Sequence, residues 1–204
     1  THLFVKIAIA LAIVHQVLVA VVFRTQLHLN LLVKYFGDNA LKLWGSVFIP
    51  LLIARPVMVV LVGLFDFGSM SGSIAVNMLI GIALIAPAAW TMHTVLTHFT
   101  IYRAMGGDHF SDEYLNMPLV TEGAFKYFPN AMYTVVFTGL WGIAFVFSSW
   151  NALVLALFYH AYIWVHMYCT EEPDMRILYA DAPEPAPVED AVIIPDEEPK
   201  NDET

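Results

Sequence analysis

Five stretches of about twenty apolar residues constrain this chain more than any other feature. They are "LFVKIAIALAIVHQVLVAVVF" (3–23), "LWGSVFIPLLIARPVMVVLVGLF" (43–65), "IAVNMLIGIALIAPAAWTMHTVL" (74–96), "YFPNAMYTVVFTGLWGIAFVF" (127–147) and "WNALVLALFYHAYIWVHMY" (150–168). As helices, each is long enough to cross roughly 30 Å of hydrocarbon. The first run exceeds a typical signal-peptide core and lacks a small-x-small cleavage site, so it reads as a span. "SSWN" (148–151) leaves room only for a turn, which makes the last two runs a helical hairpin. The expected fold is all-α: a polytopic membrane bundle of about five spans, ending in that hairpin and an acidic disordered tail.

Charge supports this reading. Only 13% of the 204 residues are charged, against about 25% in an average soluble domain. The net charge of −9 is concentrated at one end, because nine of the eighteen acids lie in 181–204 with a single lysine. That Pro-rich stretch has little to pack and is expected to be solvated. The domain organisation follows: a transmembrane unit over 1–179 and a tail over 180–204. The rest is nearly neutral, which argues against a nucleic-acid surface. A single cysteine, Cys169, excludes an internal disulfide and a cysteine metal cluster.

Basic residues set the expected orientation. With five spans, Arg24, Lys34, Lys42, Arg103, Lys126, Arg176 and Lys200 fall on one side and Lys6 on the other. The 97–126 loop and the C-terminal segment are therefore expected to be cytoplasmic. Within the spans, Arg55 precedes Pro56 near the middle of the second run, where a charge is costly unless it faces protein or water. It reads either as an anion or headgroup site or as an internally paired, snorkelling side chain. Gln16 beside His15 fits helix–helix hydrogen bonding, and Pro50 and Pro87 read as kinks.

Eight histidines raise the question of a metal. Two ligands on one helical face want a spacing of three or four. His93 and His98 are five apart and His160 and His166 six apart, so a di-iron carboxylate site is not encoded and no metal ligands are assigned. Spacing leaves open a haem held by two of His15, His93 and His160. Aromatic residues gather near the last hairpin (Phe125, Tyr127, Phe128, Tyr133, Tyr159, Tyr162, Trp164, Tyr168), as an interfacial belt or as a cage for a cation. The final span then ends in Glu171 and Glu172, followed by Pro173. A helix C-terminus disfavours anions, and Pro173 is expected to push Glu172 to extended backbone and stop the helix. A cationic partner is implied: Arg176 or Arg103, or a positively charged ligand.

Three motifs in order now resemble a family. "EEPDMRILYA" (171–180) is similar to the C-terminal signature of the phospholipid N-methyltransferases, which share a membrane superfamily with the isoprenylcysteine carboxyl methyltransferases. "GGDHF" (106–110) resembles that family's Gly-Asp-aromatic-Phe loop segment, and "YFPNAMY" (127–133) its Asn-Pro-Met-Tyr element. The resemblance covers about residues 90–180. It implies methyl transfer from S-adenosylmethionine to a lipid acceptor, foremost a phospholipid headgroup amine. The alternatives are a prenylcysteine carboxylate acceptor, or a non-catalytic subunit of a larger membrane complex on the same scaffold. By resemblance, the cofactor set is Gly106, Gly107, Asp108, Asn130, Tyr133, Glu171 and Glu172. His109 and Glu172 are the catalytic candidates, with His166 as an alternative base; Arg103, Lys126 and Arg55 are candidates for the lipid phosphate. Asn130-Ala131 departs from the family's Asn-Pro, with Pro129 on the preceding side.

Overall fold

The structure, a computed structural model, describes residues 2–118, 120–128 and 130–180. Apart from Ala180, the segment expected to form the acidic tail lies outside the described residues, as does Pro129. Among the described residues the chain is helical, with no strands. Four helices are long and apolar enough to cross a membrane: His2–Leu29, Leu31–Phe65, Ile74–Phe99 and Trp150–Leu178. The expected fourth span (127–147) is shorter, an apolar segment over Ala131–Val146. It is broken by a turn between Ala131–Thr134 and Thr138–Val146. We label the main elements α1 (His2–Leu29), α2 (Ala40–Phe65), α3 (Ile74–Thr94), α4 (Thr138–Val146), α5 (Trp150–His166) and α6 (Glu172–Leu178).

Small residues let these helices approach. One buried layer joins Ala8 and Ala12 of α1, Val59 and Val62 of α2, Ala144 of α4, and Ala152, Leu155 and Tyr159 of α5. Packing between membrane helices relies on such close contact, because lipid offers no hydrophobic drive to bring them together. α3 and α4 meet at Gly81 and Gly142, where a Cβ on Gly81 would fall 2.6 Å from the Gly142 carbonyl oxygen. Outward-facing side chains such as Leu79 and Ile82 stay exposed, as lipid contact requires.

The ends of the bundle differ. At one end Asp66, just past α2, ties the α4–α5 turn. Its carboxylate accepts hydrogen bonds from Ser69 Oγ (2.7 Å), Ser149 Oγ (2.7 Å), Asn151 N (3.0 Å) and Asn151 Nδ2 (2.8 Å). Ser149 in turn caps α5 by accepting from Ala152 N, so the turn read from "SSWN" is present and locked. Burial alone would raise the Asp66 carboxyl, but the bonds from Ser149, Ser69 and Asn151 outweigh it and hold the group at about 2 rather than 3.8. Because the folded value is depressed, this stabilisation is complete above about pH 4 and is lost as pH falls toward about 2. Thermal unfolding followed across that window should show the wild type losing its advantage over Asp66→Asn as acid is added. A constant gap would mean that the carboxylate does not titrate with folding.

Pro173 does not stop the last helix, contrary to expectation. Glu172 is helical (φ −59°, ψ −45°), and the chain passes through a π-turn at Met167–Glu171 into α6. Two features explain the continuity. The wider π-turn makes room for the proline ring at the first turn of α6, where a missing N–H is tolerated. The carbonyl of Cys169, which residue 173 would ordinarily serve, accepts instead from Arg24 Nη2 at 3.1 Å.

Candidate active site

The other end of the bundle gathers most of the residues singled out in the sequence. Trp44 Nε1 donates to the Met105 carbonyl at 2.9 Å, anchoring the loop that follows to α2. Gly106 then adopts φ +83°, and a Cβ there would sit 2.3 Å from the Phe23 ring. Glycine alone allows both the left-handed backbone and the closeness. The next position is equally tight, since a Cβ on Gly107 would lie 2.9 Å from the Tyr102 carbonyl oxygen. Phe23 stacks on the His109 ring, centroids 4.3 Å apart, so α1 forms the wall behind "GGDHF".

His109 is clasped between two carboxylates. Its Nδ1 lies 3.1 Å from Asp108 Oδ1 and its Nε2 3.3 Å from Asp174 Oδ2. Asp174 is fully buried in the first turn of α6. Its Oδ1 lies 2.9 Å from Arg24 Nη1 as an ion pair, off the line of a good hydrogen bond. A single aspartate therefore joins α1, α6 and the loop. Neither Asp174 nor Arg24 stands among the site residues expected from the sequence. Asp174 sits inside "EEPDMR", where the paired glutamates drew attention away from it; its one signal is an acid in the first turn of a helix, a favourable place for it. Tyr179 closes the far side, its hydroxyl 3.5 Å from Asp108 Oδ2. Burial and then the neighbouring Asp108 carboxylate raise the Tyr179 phenol above its ordinary value, so it stays a donor. Beside this group opens a cleft of about 470 Å³, lined by Gln26, Asn30, Asp108, His109, Asp112 and Leu178 among others.

The adjacent glutamates have different surroundings. Glu171 turns inward and accepts a hydrogen bond from the Tyr133 hydroxyl at the entry to the fourth crossing. Its Oε2 also lies 3.8 Å from His166 Nε2. Both contacts use Oε2; among the described residues none falls on Oε1. The His166 Nδ1 is buried without a partner, and Tyr133 packs against Trp164 at 6.2 Å. Glu172 instead pairs with Arg176, one turn on, at the surface.

The remaining candidates lie farther out. Arg103 donates to the Pro118 carbonyl at 3.0 Å and covers the Phe99 ring at 4.9 Å. Lys126 is exposed, with Nζ 5.9 Å from the Tyr127 ring. Asn130 is exposed in a left-handed conformation (φ +53°) just before Ala131. A proline at 131 would push Asn130 to extended backbone, so the departure Asn130-Ala131 accompanies a different entry turn. Arg55 is buried deeper, at 5% exposure. Of the histidines considered for haem, His15 packs on Phe48, His160 packs between Phe137 and Trp141, and His93 is exposed. The aromatic cluster divides as well: Tyr127, Phe128 and Tyr168 are exposed, while Tyr133 meets the glutamate and Trp164 packs between Tyr133 and Tyr168.

A carboxylate with 27% of its side chain exposed and a phenol beside it suits a cation. The Asp108 cleft suits a polar ligand, while the space beside Gly106 and Gly107 is taken by Phe23, Tyr102 and Tyr114, so these glycines shape the loop instead of touching a ligand as expected.

Residues 76–182 match a family model described as phospholipid methyltransferase. The chain is 29% identical over 106 residues to a phosphatidylethanolamine N-methyltransferase of Meyerozyma guilliermondii, covering 50% of this chain and 12% of that protein. The same name is carried by a protein of Clavispora lusitaniae, 31% identical over 109 residues (52% and 12%), and by one of Lodderomyces elongisporus, 32% identical over 105 residues (50% and 12%). The matched part of the chain thus spans only about an eighth of the length of these relatives. No solved structure matches.

Proposed function

Because the chain belongs to the phospholipid methyltransferase family, we propose that it transfers a methyl group from S-adenosylmethionine to the headgroup amine of a phosphatidylethanolamine-type lipid. The single observation that carries this reading is the inward Glu171 carboxylate, set beside Tyr133 and His166 at the same end as the Gly106–His109 turn. S-adenosylmethionine supplies an electrophilic methyl on a sulfonium centre. The chain's own residues do the rest. Glu171 receives the ammonium of the donor's methionine end, held in place by the Tyr133 hydroxyl. Asp108 lines the cleft at the same end. The Tyr133 hydroxyl on Glu171 and the His109 ring on Asp108 fix the two carboxylates, and orientation is the main lever for an in-line displacement.

The lipid amine must shed a proton before it attacks. His109 is fully buried, with both ring nitrogens against carboxylates, so Asp108, with 17% of its side chain exposed, is the group that reaches the amine first. It passes the proton to His109 across 3.1 Å. Asp174 holds that imidazole from behind. The partly buried Arg103 and the exposed Lys126, on the same loop, serve the lipid phosphate. A second cleft of about 410 Å³, lined by Lys42, Ile49, Pro50, Ile101 and Met105 among others, suits the glycerol and upper acyl chain of a lipid entering from the side. The bias of basic residues toward this end supports a cytoplasmic site. Glu172, paired with Arg176 at the surface, has no direct part in this reading.

The test is methyl transfer by purified protein in vesicles containing phosphatidylethanolamine, with labelled S-adenosylmethionine. Label in the N-methylated lipid is expected. Label only in a supplied prenylcysteine acceptor, or in nothing while the protein is folded, would contradict the proposal.

A further inference from the structure

Two arginines of the bundle reach buried partners, and the partners differ. Arg55, near the middle of α2, donates from Nη2 to Gln16 Oε1 at 2.7 Å, next to His15; the contact is to a neutral amide. Arg24, near the end of α1, meets a buried carboxylate instead. Its Nη1 lies 2.9 Å from Asp174 Oδ1, and its Nη2 donates to the Cys169 carbonyl at 3.1 Å. From Arg24 inward the polar groups form an unbroken row: the guanidinium, Asp174, the His109 ring across 3.3 Å, and Asp108 across 3.1 Å. Asp108 stands at the cleft. The transfer described above uses the cleft end of this row and gives Arg24 no part.

A neutral imidazole carries one hydrogen, and the bond made by one ring nitrogen decides the state of the other. Each His109 nitrogen faces a carboxylate, so one of them must set a bare lone pair against an anion. That opposition costs least where water can enter. Asp174 is fully buried, whereas 17% of the Asp108 side chain is exposed at the cleft. The hydrogen therefore belongs on Nε2, bonded to Asp174, and the lone pair on Nδ1, turned to Asp108. This order holds only while Asp174 stays an anion. A buried carboxylate left alone takes up a proton; here the guanidinium 2.9 Å away answers its charge. We propose that Arg24 is a positioning residue for the reaction. By holding Asp174 ionised, it keeps the His109 hydrogen on Nε2 and leaves Nδ1 free to receive the proton that Asp108 takes from the lipid amine. This rests on the methyl-transfer reading above. With that proton on Nδ1 the row alternates cation, anion, cation, anion. The freed amine lone pair forms the N–C bond as the C–S bond breaks, its electrons staying on sulfur, and the proton later returns through Asp108 to the cleft. Tyr179, 3.5 Å from Asp108, His166, 6.1 Å from the Phe23 ring that covers His109, Asp112 on the cleft wall and Glu171 also surround the ring. Among the described residues only Asp108 and Asp174 meet its nitrogens. Arg24 belongs to α1, outside the matched residues 76–182.

Nitrogen NMR of protein labelled at its histidine rings, in lipid nanodiscs, reads the hydrogen directly; the His109 signals are those lost in His109→Gln. Wild type at neutral pH should show a protonated Nε2 and a bare Nδ1. In Arg24→Gln the Nδ1 should carry a proton, either by exchange between the nitrogens or by full protonation of the ring. In vesicles containing phosphatidylethanolamine, Arg24→Gln should lose about tenfold or more in kcat at neutral pH, and the rising limb of kcat should move up by about one pH unit or more. KM for lipid and for S-adenosylmethionine should stay near the wild-type values. Arg24→Lys restores the charge without the fork and should recover part of the rate. A role confined to holding the π-turn would lower Tm and leave both the Nδ1 signal and the pH profile in place, which overturns the proposal. A hydrogen on Nδ1 in methylating wild type overturns it too, and that reading needs no variant to fold. Either result leaves the Glu171 reading standing. Absence of methyl transfer by folded wild type contradicts both.

Discussion

Glu171→Gln should lower methyl transfer by about 10²–10³-fold, while Glu172→Gln should stay within about fivefold of the parent. The contrast follows from where the two side chains lie. Glu171 is turned into the protein, with 27% of its side chain exposed, and the partner proposed for it is a cation removed from water. Deleting one member of such a buried pair costs about 3–5 kcal/mol, which corresponds to about two to three and a half powers of ten. Glutamine keeps the size and the ability to accept from Tyr133, so the loss measures charge. Glu172 engages Arg176 in an exposed i,i+4 pair, a kind of contact worth little. Initial rates with labelled donor, alongside thermal unfolding to confirm that both variants fold, decide the matter. Equal losses in the two would show that the pair acts as a unit and that the inward position of Glu171 has no special meaning.

Asp174→Ala should be the most destabilising single substitution in the C-terminal segment, by about 3 kcal/mol. The carboxylate is fully buried, 2.9 Å from Arg24 Nη1 and 3.3 Å from His109 Nε2. Removing it strands a cation and an imidazole at once. Breaking a buried pair costs about 3–5 kcal/mol, and the lower end applies because Arg24 retains 36% exposure and can turn to water. For a chain of this size the loss should appear as a fall in Tm of about 6–12 °C. Asp174→Asn, which keeps the shape and one acceptor, should recover part of it. The "GGDHF" loop should also become open to proteolysis, because Asp174 is what joins it to α6. An unmoved Tm would mean that Arg24 and His109 find other partners and that the tie is incidental.

How much of this was legible beforehand varies from residue to residue. The spans were, because crossing a bilayer demands long apolar runs that nothing else in the chain resembles. The turn at "SSWN" was as well, since four residues between two spans leave no alternative. That Asp108 and the glutamates lie at one end of the bundle followed from counting crossings. The behaviour of Pro173 was not legible. It depends on a π-turn and on Arg24 reaching Cys169 from a helix 145 residues away, and local preference cannot report a rescue made by tertiary contact. Asp174 stayed hidden for the same reason: an isolated acid in a helical turn looks solvated until its partners are placed. Arg55 was visible as an oddity but not as part of a group, because Gln16 and His15 share its layer only through the packing of α1 on α2. The shortened fourth crossing escaped because hydropathy does not register the left-handed Asn130 at its entry.

The account's central claim is that the inward carboxylate of Glu171 receives the cationic end of a nucleotide donor. The most direct measurement is an experimental density map of the protein in lipid nanodiscs, saturated with S-adenosylhomocysteine. The account predicts the homocysteine ammonium against Glu171 and the adenosyl group beside the Gly106–Asp108 turn. A map in which Glu171 remains closed on Tyr133 while the nucleotide lies elsewhere, or fails to bind, would contradict it.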